Sequence, residues 1–129
     1  MTTLISTFAL TPSTQSGGWD LYTDSFGNIA QNTQAAAVAQ DVASAIKLFL
    51  CELYYDTTQG VPYNGQIFSQ TYNAAIINSA IQQAALSVPN VVDAVASVTN
   101  QNSAGQPTRN VTGTVRILDV NGQELGVTL

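Results

Sequence analysis

The sequence predicts an α+β fold in a single domain over residues 1–129. Two helical segments are expected in the middle of the chain, at 33–55 and 69–86, because apolar residues recur there at steps of three and four. The segment 91–129 is rich in β-branched residues and contains an Asn-Gly pair, so antiparallel strands are expected there. Helices grouped in the middle of a chain and strands grouped at its end are typical of the α+β class.

The first part of the chain is predicted to be extended. Residues 1–18 are expected to form an N-terminal arm that starts with a short strand and continues into a Ser- and Gly-rich connector. At 19–31, two short extended segments flank the turn sequence Gly27-Asn28, and this pattern predicts a small hairpin. An N-terminal strand and a small hairpin therefore precede the helices.

The first helix is the clearest element of the sequence. Asn32 or Thr33 can act as its N-cap, and no Pro or Gly interrupts the chain before Gly60. Its apolar stripe consists of Val38, Val42, Ala45, Ile46, Phe49 and Leu53. The second helix is expected to end before Pro89. Isolated helices are marginal in water, so both are expected to depend on the burial of their stripes.

The C-terminal segment is predicted to be an antiparallel meander with an open edge. Val91–Ala94 fits a strand, although it could also extend the second helix. Asn121-Gly122 is expected to form a type I′ turn that leads into a last strand at Glu124–Thr128. That strand contains no Pro and Glu124 is its only charge, so its edge has little protection against pairing. β-Augmentation, in which a partner contributes the next strand, is the binding mechanism that this edge favours.

The charge composition excludes several functions. The chain has 3 Lys/Arg against 8 Asp/Glu, and charged residues make up 9% of it, compared with about 25% in an ordinary domain. Three cationic side chains are too few for the phosphate contacts of nucleic-acid binding and for a polybasic membrane anchor, so neither function is expected. The start Met1-Thr2-Thr3 has no basic region and no apolar run has the length of a membrane span, so neither a secretion signal nor a span is expected. A surface of low charge suits packing against other proteins.

Catalytic and metal chemistry has little support. The chain has no histidine and one cysteine, Cys51, which excludes a Ser-His-Asp triad, a His-ligated zinc site and an intrachain disulfide. No catalytic residue, cofactor or metal site is therefore predicted. Glu52 and Asp56 stand four apart at the end of the first predicted helix, where paired carboxylates could serve a glycosidase. The simpler interpretation, which we favour, is a surface acid and the start of a loop.

Aromatic residues gather at the predicted hairpin and at the loop between the helices. They are Trp19, Tyr22, Phe26, Tyr54, Tyr55 and Tyr63. Tyr and Trp are enriched at protein interfaces, because they bury a large area while one polar group stays paired. Packing of the hairpin on the first helix explains these residues equally well, so both interpretations stay open.

Four segments carry a family resemblance. They are Trp19–Asn28, Gln40–Val42 in the Ala-rich helix, Glu52–Tyr63, and Thr108–Ile117 before the Asn-Gly pair. These segments resemble the small baseplate-wedge or sheath-initiator family of contractile-tailed bacteriophages, formerly labelled lysozyme-like baseplate proteins. The similarity covers roughly Gly18 to Val127, and Glu52 followed by Gly60-Val61-Pro62-Tyr63 is its most specific part.

The resemblance implies a structural component of the virion's tail baseplate, assembled in the cytoplasm of the bacterial host in multiple copies, with six expected. Its partners would be the tail sheath protein, the baseplate wedge proteins and the tail tube. The helices and the Glu52–Tyr63 loop would dock on the wedge, and the terminal strands would imitate a sheath subunit so that the first sheath ring adds by strand exchange. A loop motif of this family contains an acidic residue and an arginine. Glu52 matches the acidic residue, whereas this sequence has no Arg between Lys47 and Arg109 to match the arginine.

The residues predicted to contact partners are Trp19, Tyr22, Phe26, Glu52, Tyr55, Gly60, Pro62, Tyr63, Arg116, Leu118, Glu124, Leu125 and Val127. Two alternatives belong to other classes of protein. One is a glycosidase that cleaves peptidoglycan with Glu52 and Asp56, and the other is a free-standing adaptor domain that binds proteins.

Overall fold

A computed structural model describes residues 6–12, 19–67, 73–101 and 104–129 of the chain. The strands are β1 (Ser6–Phe8), β2 (Leu10–Pro12), β3 (Trp19–Leu21), β4 (Gln31–Thr33), β5 (Val91–Gln101), β6 (Pro107–Asp119) and β7 (Glu124–Thr128). The α-helices are α1 (Gln34–Lys47) and α2 (Ala74–Leu86), and a short π-helical turn spans Tyr63–Ile67. Helices in the middle of the chain and long strands at its end confirm the predicted α+β class.

The C-terminal strands form an antiparallel sheet in the order β5-β6-β7, which confirms the predicted meander. Val91 pairs with Asp119, so the segment that could have extended α2 is a strand. Buried side chains alternate with exposed ones along the sheet, as Ala94, Ala96 and Val98 show in β5. Because α2 packs on β5 and α1 packs on β7, the helices cover one face of this sheet.

The hydrophobic core lies between the helices and the covered face of the sheet. Val42 and Ile46 of α1, Ile81 of α2 and Val115 of β6 have no exposed surface. Full burial of one such side chain contributes roughly 1.5–3 kcal/mol relative to its exposure. Val38, Val42 and Ile46 of the apolar stripe predicted for the first helix are therefore core residues, whereas Phe49 of that stripe is exposed.

The N-terminal strands pair differently from the prediction. β1 pairs with β4 and β2 pairs with β3, both antiparallel, so the two halves of the predicted hairpin pair mainly with the arm and not with each other. The part of that hairpin next to its turn does form: Thr23 bridges Ile29, Ala30 N donates to Tyr22 O at 2.9 Å, and Asp24 N donates to Asn28 O at 2.8 Å. The arm is tied in by long-range bonds, such as the one from Ala9 N to Ala30 O at 2.9 Å. Residues 1–5 and 13–18 of the predicted arm lie outside the described residues.

Gln40 of α1 connects the N-terminal strands to the helices. Its Nε2 donates to Phe8 O at 2.6 Å, and its Oε1 accepts from Leu10 N at 3.1 Å and from Asn32 Nδ2 at 2.9 Å. One amide thus satisfies backbone groups at the junction of β1 and β2, where the chain passes from one strand pair to the other. This contact fixes the arm on α1.

Helix α1 is shorter than predicted, because it spans Gln34–Lys47 and not 33–55. Leu48 has an extended backbone, with φ −74° and ψ 127°, and ends the helix. The chain then bonds to a distant segment: Leu50 N donates to Val61 O at 3.0 Å, and Val61 N donates to Leu48 O at 2.9 Å. This long-range pairing overrides the helical spacing of the apolar residues that follow.

Helix α2 spans Ala74–Leu86, and its predicted end is confirmed. Asn73 is its N-cap, and the Asn73 side chain accepts hydrogen bonds from two backbone N–H groups of the first turn. Residues 69–72 of the predicted helix lie outside the described residues. Thr33 occupies the N-cap position of α1 as expected, but its side chain forms no capping bond. Within the described ranges, neither helix has the length and apolar character that crossing a bilayer requires.

The turn between β6 and β7 is not the predicted type I′ turn. That turn needs positive φ at both central residues, and here Gly122 has φ 80° whereas Asn121 is not in the left-handed region. The Asp119 carboxylate holds the turn, because its Oδ1 accepts from Asn121 N at 2.9 Å and from Gln123 N at 2.8 Å. This pattern is that of a three-residue loop with a glycine bulge, for which Asn-Gly is equally suitable.

Candidate functional site

Strand β7 forms one edge of the C-terminal sheet, because β6 is its neighbour on one side and no other strand follows it in the sheet order of the described residues. The hydrogen bonds between the strands fix which residues face β6. Asp119 N donates to Gln123 O at 3.0 Å, and Leu129 N donates to Gly113 O at 2.9 Å. Bonded pairs alternate with non-bonded pairs in an antiparallel ladder, so the odd-numbered residues of β7 direct their backbone groups to β6.

Glu124, Gly126 and Thr128 direct their backbone N–H and C=O groups away from β6. Within the part of the chain that the structure describes, no hydrogen bond to these groups is formed. We call these residues the open edge. Backbone groups aligned in this way along an edge strand are a template for a further strand.

The opposite edge of the sheet, on β5, is covered by α2. Ala94, Ala96 and Val98 direct their backbone groups away from β6. Gln82 Nε2 donates to Ala94 O at 2.9 Å, and Asn78 Oδ1 accepts from Val98 N at 2.9 Å. The Ala94 N–H donates to Asp93 Oδ1 at 2.8 Å. We call Ala94 and Val98 the covered edge, and the two edges of the sheet therefore differ in their freedom to bind a strand.

The predicted contact residues of the C-terminal sheet lie on both of its faces. Val127 is buried and Leu125 is half-buried against the core. Leu118, Arg116 and Glu124 lie on the face away from the helices, where Arg116 Nη2 contacts Glu124 Oε2 at 3.1 Å. An exposed ion pair of this kind contributes about 0–1 kcal/mol, so a partner's charge can replace either half at small cost.

The carboxylates of Glu52 and Asp56 do not share a helix face, because α1 ends before both. Each holds the backbone of the interhelical loop, residues 48–62. Glu52 Oε2 accepts from Phe49 N at 2.9 Å, and Asp56 Oδ1 accepts from Thr58 N at 3.1 Å and from Thr58 Oγ1 at 2.6 Å. The bond from the Thr58 hydroxyl is the main cause that lowers the pKa of Asp56 below its usual value. A lowered pKa suits a structural acceptor better than a general acid.

Gly60 lets two parts of the interhelical loop approach closely. Its φ is 117°, and a Cβ atom at this position would lie 2.6 Å from the carbonyl carbon and oxygen of Phe49. The close approach accompanies the parallel bridge between Phe49 and Val61. Pro62, which follows this bridge, is half-buried. The sequence predicted Gly60 and Pro62 as partner contacts, and the structure assigns Gly60 a role in shaping the loop.

Tyr63 is buried beneath the interhelical loop. Its hydroxyl donates to Ile46 O at 2.6 Å, and its ring centroid lies 4.9 Å from that of Phe49. Ile46 is in the last turn of α1, where carbonyl groups lack partners inside the helix, so Tyr63 caps this helix end from a distance. Burial raises the pKa of Tyr63 to about 12. The Tyr63 ring therefore lies inside the structure, and a partner contact at this residue stays a prediction.

The other residues of the aromatic group noted in the sequence are exposed. Tyr54 and Tyr55 pack edge to face with centroids 5.2 Å apart, and 92% and 71% of their surfaces are exposed. Phe26 is 87% and Trp19 61% exposed, and Tyr22 is exposed as well. Packing against the first helix accounts for Tyr63, whereas these other rings project from the described surface.

The polar residues that organise the β5 edge of the sheet were not among the predicted site residues. Asn78 and Gln82 stand four apart on α2, hence on one helix face, and each directly follows a buried residue, Ile77 or Ile81. Polar amides next to a buried stripe were the available signal, since half-buried amides need hydrogen-bond partners. In the described parts of the chain, Cys, Asp and Glu side chains form no group that could hold a metal ion.

Comparison with known protein families identifies the class to which this fold and surface belong. Residues 10–122 match the model of the contractile injection system sheath initiator. This match spans most of the sequence, so the chain belongs to the sheath initiator family, and the resemblance seen in the sequence is confirmed. The search among curated proteins gives no match. Membership in this family supports a structural role in sheath initiation at a contractile tail baseplate.

Proposed function

We propose that the protein docks on the baseplate wedge and tail tube and starts sheath assembly by offering its open edge to a strand of a sheath subunit. The observation that carries this proposal is the set of backbone groups of Glu124, Gly126 and Thr128 that point away from β6. An added strand pairs with these groups by β-augmentation. The role is structural, and Glu52 and Asp56 serve it as acceptors that shape a loop.

The side chains beside the open edge support strand addition. Leu125 and Leu129 are partly buried and pack against the core at its margin. A strand with apolar residues on the helix-facing side covers these leucines and continues the core beneath α1. Burial of apolar area contributes roughly 25 cal/mol per Å², so this cover adds a hydrophobic term to the backbone hydrogen bonds.

The interhelical loop supports docking on a wedge protein. Its backbone is fixed by the Glu52 and Asp56 carboxylates and by the close approach at Gly60. A fixed loop loses little conformational entropy on binding, which favours affinity. The exposed rings of Tyr54 and Tyr55, with Trp19, Tyr22 and Phe26 on the N-terminal strands, supply the apolar contacts.

In this proposal, six copies of the protein surround the tail tube, and the baseplate assembles in the host cytoplasm.

Substitution of Gly126 by proline tests the open edge. Proline removes the Gly126 N–H, which points away from β6, and places its ring where the added strand must lie. The hydrogen bonds between β7 and β6 are formed by the neighbouring residues Leu125 and Val127, so the variant is expected to fold. We expect baseplates that contain Gly126→Pro to carry few sheathed tails, as counted by electron microscopy of assembled particles.

Gly126→Ala is the matched control for this experiment. Its Cβ lies 3.9 Å from the nearest atom, Thr114 Cγ2, and it keeps the N–H group. This control is expected to form sheath at the wild-type frequency. Sheathing of Gly126→Pro baseplates at that same frequency rules out strand addition at β7. If Gly126→Pro does not fold, Thr128→Pro removes another outward N–H near the strand end and decides the question.

A double substitution of Tyr54 and Tyr55 by serine tests the docking loop. Both rings are exposed, so the free energy of unfolding should change by about 0.5 kcal/mol or less. Loss of two aromatic contacts is expected to lower incorporation into baseplates about tenfold or more. Thr57→Ala, an exposed change in the same loop, is the control. Unchanged incorporation of the serine variant contradicts docking through this loop, and release of peptidoglycan fragments by the wild-type protein contradicts the structural role.

A further inference from the structure

Two amide side chains of α2 bind the backbone of β5 where a further strand would otherwise pair. Asn78 and Gln82 reach Val98 N and Ala94 O, and both bonds are 2.9 Å long. They meet the outward-facing positions of the covered edge, which lie four residues apart along β5. The amides are half-buried, while Ala94 and Val98 are nearly fully buried. These bonds are thus shielded from water, which strengthens them.

The number of free edges decides how a sheet protein associates. A molecule with one free edge binds one strand, or pairs edge to edge with a second copy in a closed dimer. A molecule with two different free edges pairs one edge with the other edge of the next copy. That contact is heterologous and leaves a free edge at each end, so the assembly has no limit to its length.

We propose that Asn78 and Gln82 determine the direction of strand addition by closing the β5 edge, so that a partner strand binds at the open edge alone. The two side chains occupy one acceptor and one donor that a strand at β5 would use, Ala94 O and Val98 N, which lie on either side of Ala96. With these amides present, one molecule accepts one strand and cannot link copies into chains. This inference concerns the other side of the sheet from the proposed sheath contact and holds whichever protein supplies the strand at β7.

The test is the double substitution of Asn78 and Gln82 by alanine in the full chain. Alanine favours helix, so α2 is expected to persist, which circular dichroism checks. We expect open-ended association: the mean mass in analytical ultracentrifugation rises steadily with protein concentration, whereas the wild type reaches no more than a dimer. The Val98 amide should exchange its hydrogen about tenfold faster in dilute solution, as the loss of one net hydrogen bond implies.

Further variants separate edge closure from a general loss of stability. Asn78→Asp keeps an acceptor for Val98 N and should behave as the wild type, whereas Gln82→Glu loses the donor to Ala94 O and should associate. Ser79→Ala and Gln83→Ala, at exposed positions of α2, should not associate. Addition of Gly126→Pro to the alanine double variant should limit association to a dimer at most, because open-ended chains need both edges.

Several results overturn the proposal. Faster exchange at Val98 without association shows that the amides do not guard the edge. Open-ended association beyond a dimer that persists when Gly126→Pro is added, or that Asn78→Asp also produces, shows that the contact is not between β7 and β5. If the alanine double variant does not fold, the comparison of Asn78→Asp with Gln82→Glu tests edge closure by itself. These measurements use the purified chain without sheath protein, so their outcome is independent of the sheathing experiment.

Discussion

Replacement of Gly60 by alanine is expected to lower the free energy of unfolding by about 3 kcal/mol. The φ of 117° is strained for any residue with a side chain, and the new Cβ would lie 2.6 Å from the Phe49 carbonyl and 2.7 Å from Leu50 N. These are backbone atoms that cannot move without loss of the bridge between Phe49 and Val61. Urea denaturation followed by circular dichroism measures the change.

Gly65→Ala is the matched control for Gly60→Ala. No atom lies within 4 Å of the position that its Cβ would take, and its φ is not in the left-handed region. The control should change the free energy of unfolding by no more than about 0.5 kcal/mol. Equal effects of the two alanine substitutions mean that the loop does not need its close approach at Gly60. We also expect Gly60→Ala to weaken incorporation into baseplates, because the loop that carries Tyr54 and Tyr55 loses its fixed shape.

Tyr63 is expected to show the largest side-chain effect on stability. Tyr63→Ala removes a buried ring that packs on Phe49, and we expect a loss of about 4 kcal/mol. Tyr63→Phe keeps the ring but removes the hydroxyl that caps Ile46 O, and we expect a loss of about 1–2 kcal/mol. Urea denaturation of both variants separates the two contributions. A Tyr63→Phe variant as stable as the wild type contradicts the capping role.

Alkaline pH gives a second measurement of the same residue. The pKa of Tyr63 is raised to about 12 in the folded protein, against about 10 in an unfolded chain. Because the folded state resists loss of this proton, its stability should fall as pH rises from about 10 through about 12. Tyr63→Phe should flatten this part of the stability profile. An equally steep fall in Tyr63→Phe would assign the alkaline loss to other groups.

Local sequence patterns correctly predicted those elements in which the tertiary contacts favour the same structure as the local sequence. The end of α2 at Leu86, the antiparallel meander and the exposed rings of Trp19 and Phe26 all follow from spacing, turn residues and residue type. The unprotected last strand was likewise visible in the sequence, because the absence of Pro and the scarcity of charge are local properties. The partner contacts inferred for these surfaces stay predictions that the variants above test.

Long-range contacts decided the features of the fold that the sequence did not predict. The helical spacing of apolar residues continues past Lys47, yet α1 ends there because Val61 bonds to the backbone of Leu48 and Leu50. Strands β1 to β4 are three residues long, and their pairing depends on which partners the fold brings together. The role of Gly60 and the burial of Tyr63 could not be predicted either, because both depend on segments distant in the chain.

The sequence by itself determined the fold class, the family and the chemical character of the surface, since composition, periodicity and turn residues are properties of neighbouring residues. Only the tertiary structure decided that the other edge of the sheet, on β5, is closed. Both edge strands present backbone groups, but α2 places Asn78 and Gln82 against β5 and leaves β7 uncovered. Hydrogen-bond satisfaction at an edge is a property of atoms that meet in space, and no local pattern encodes it.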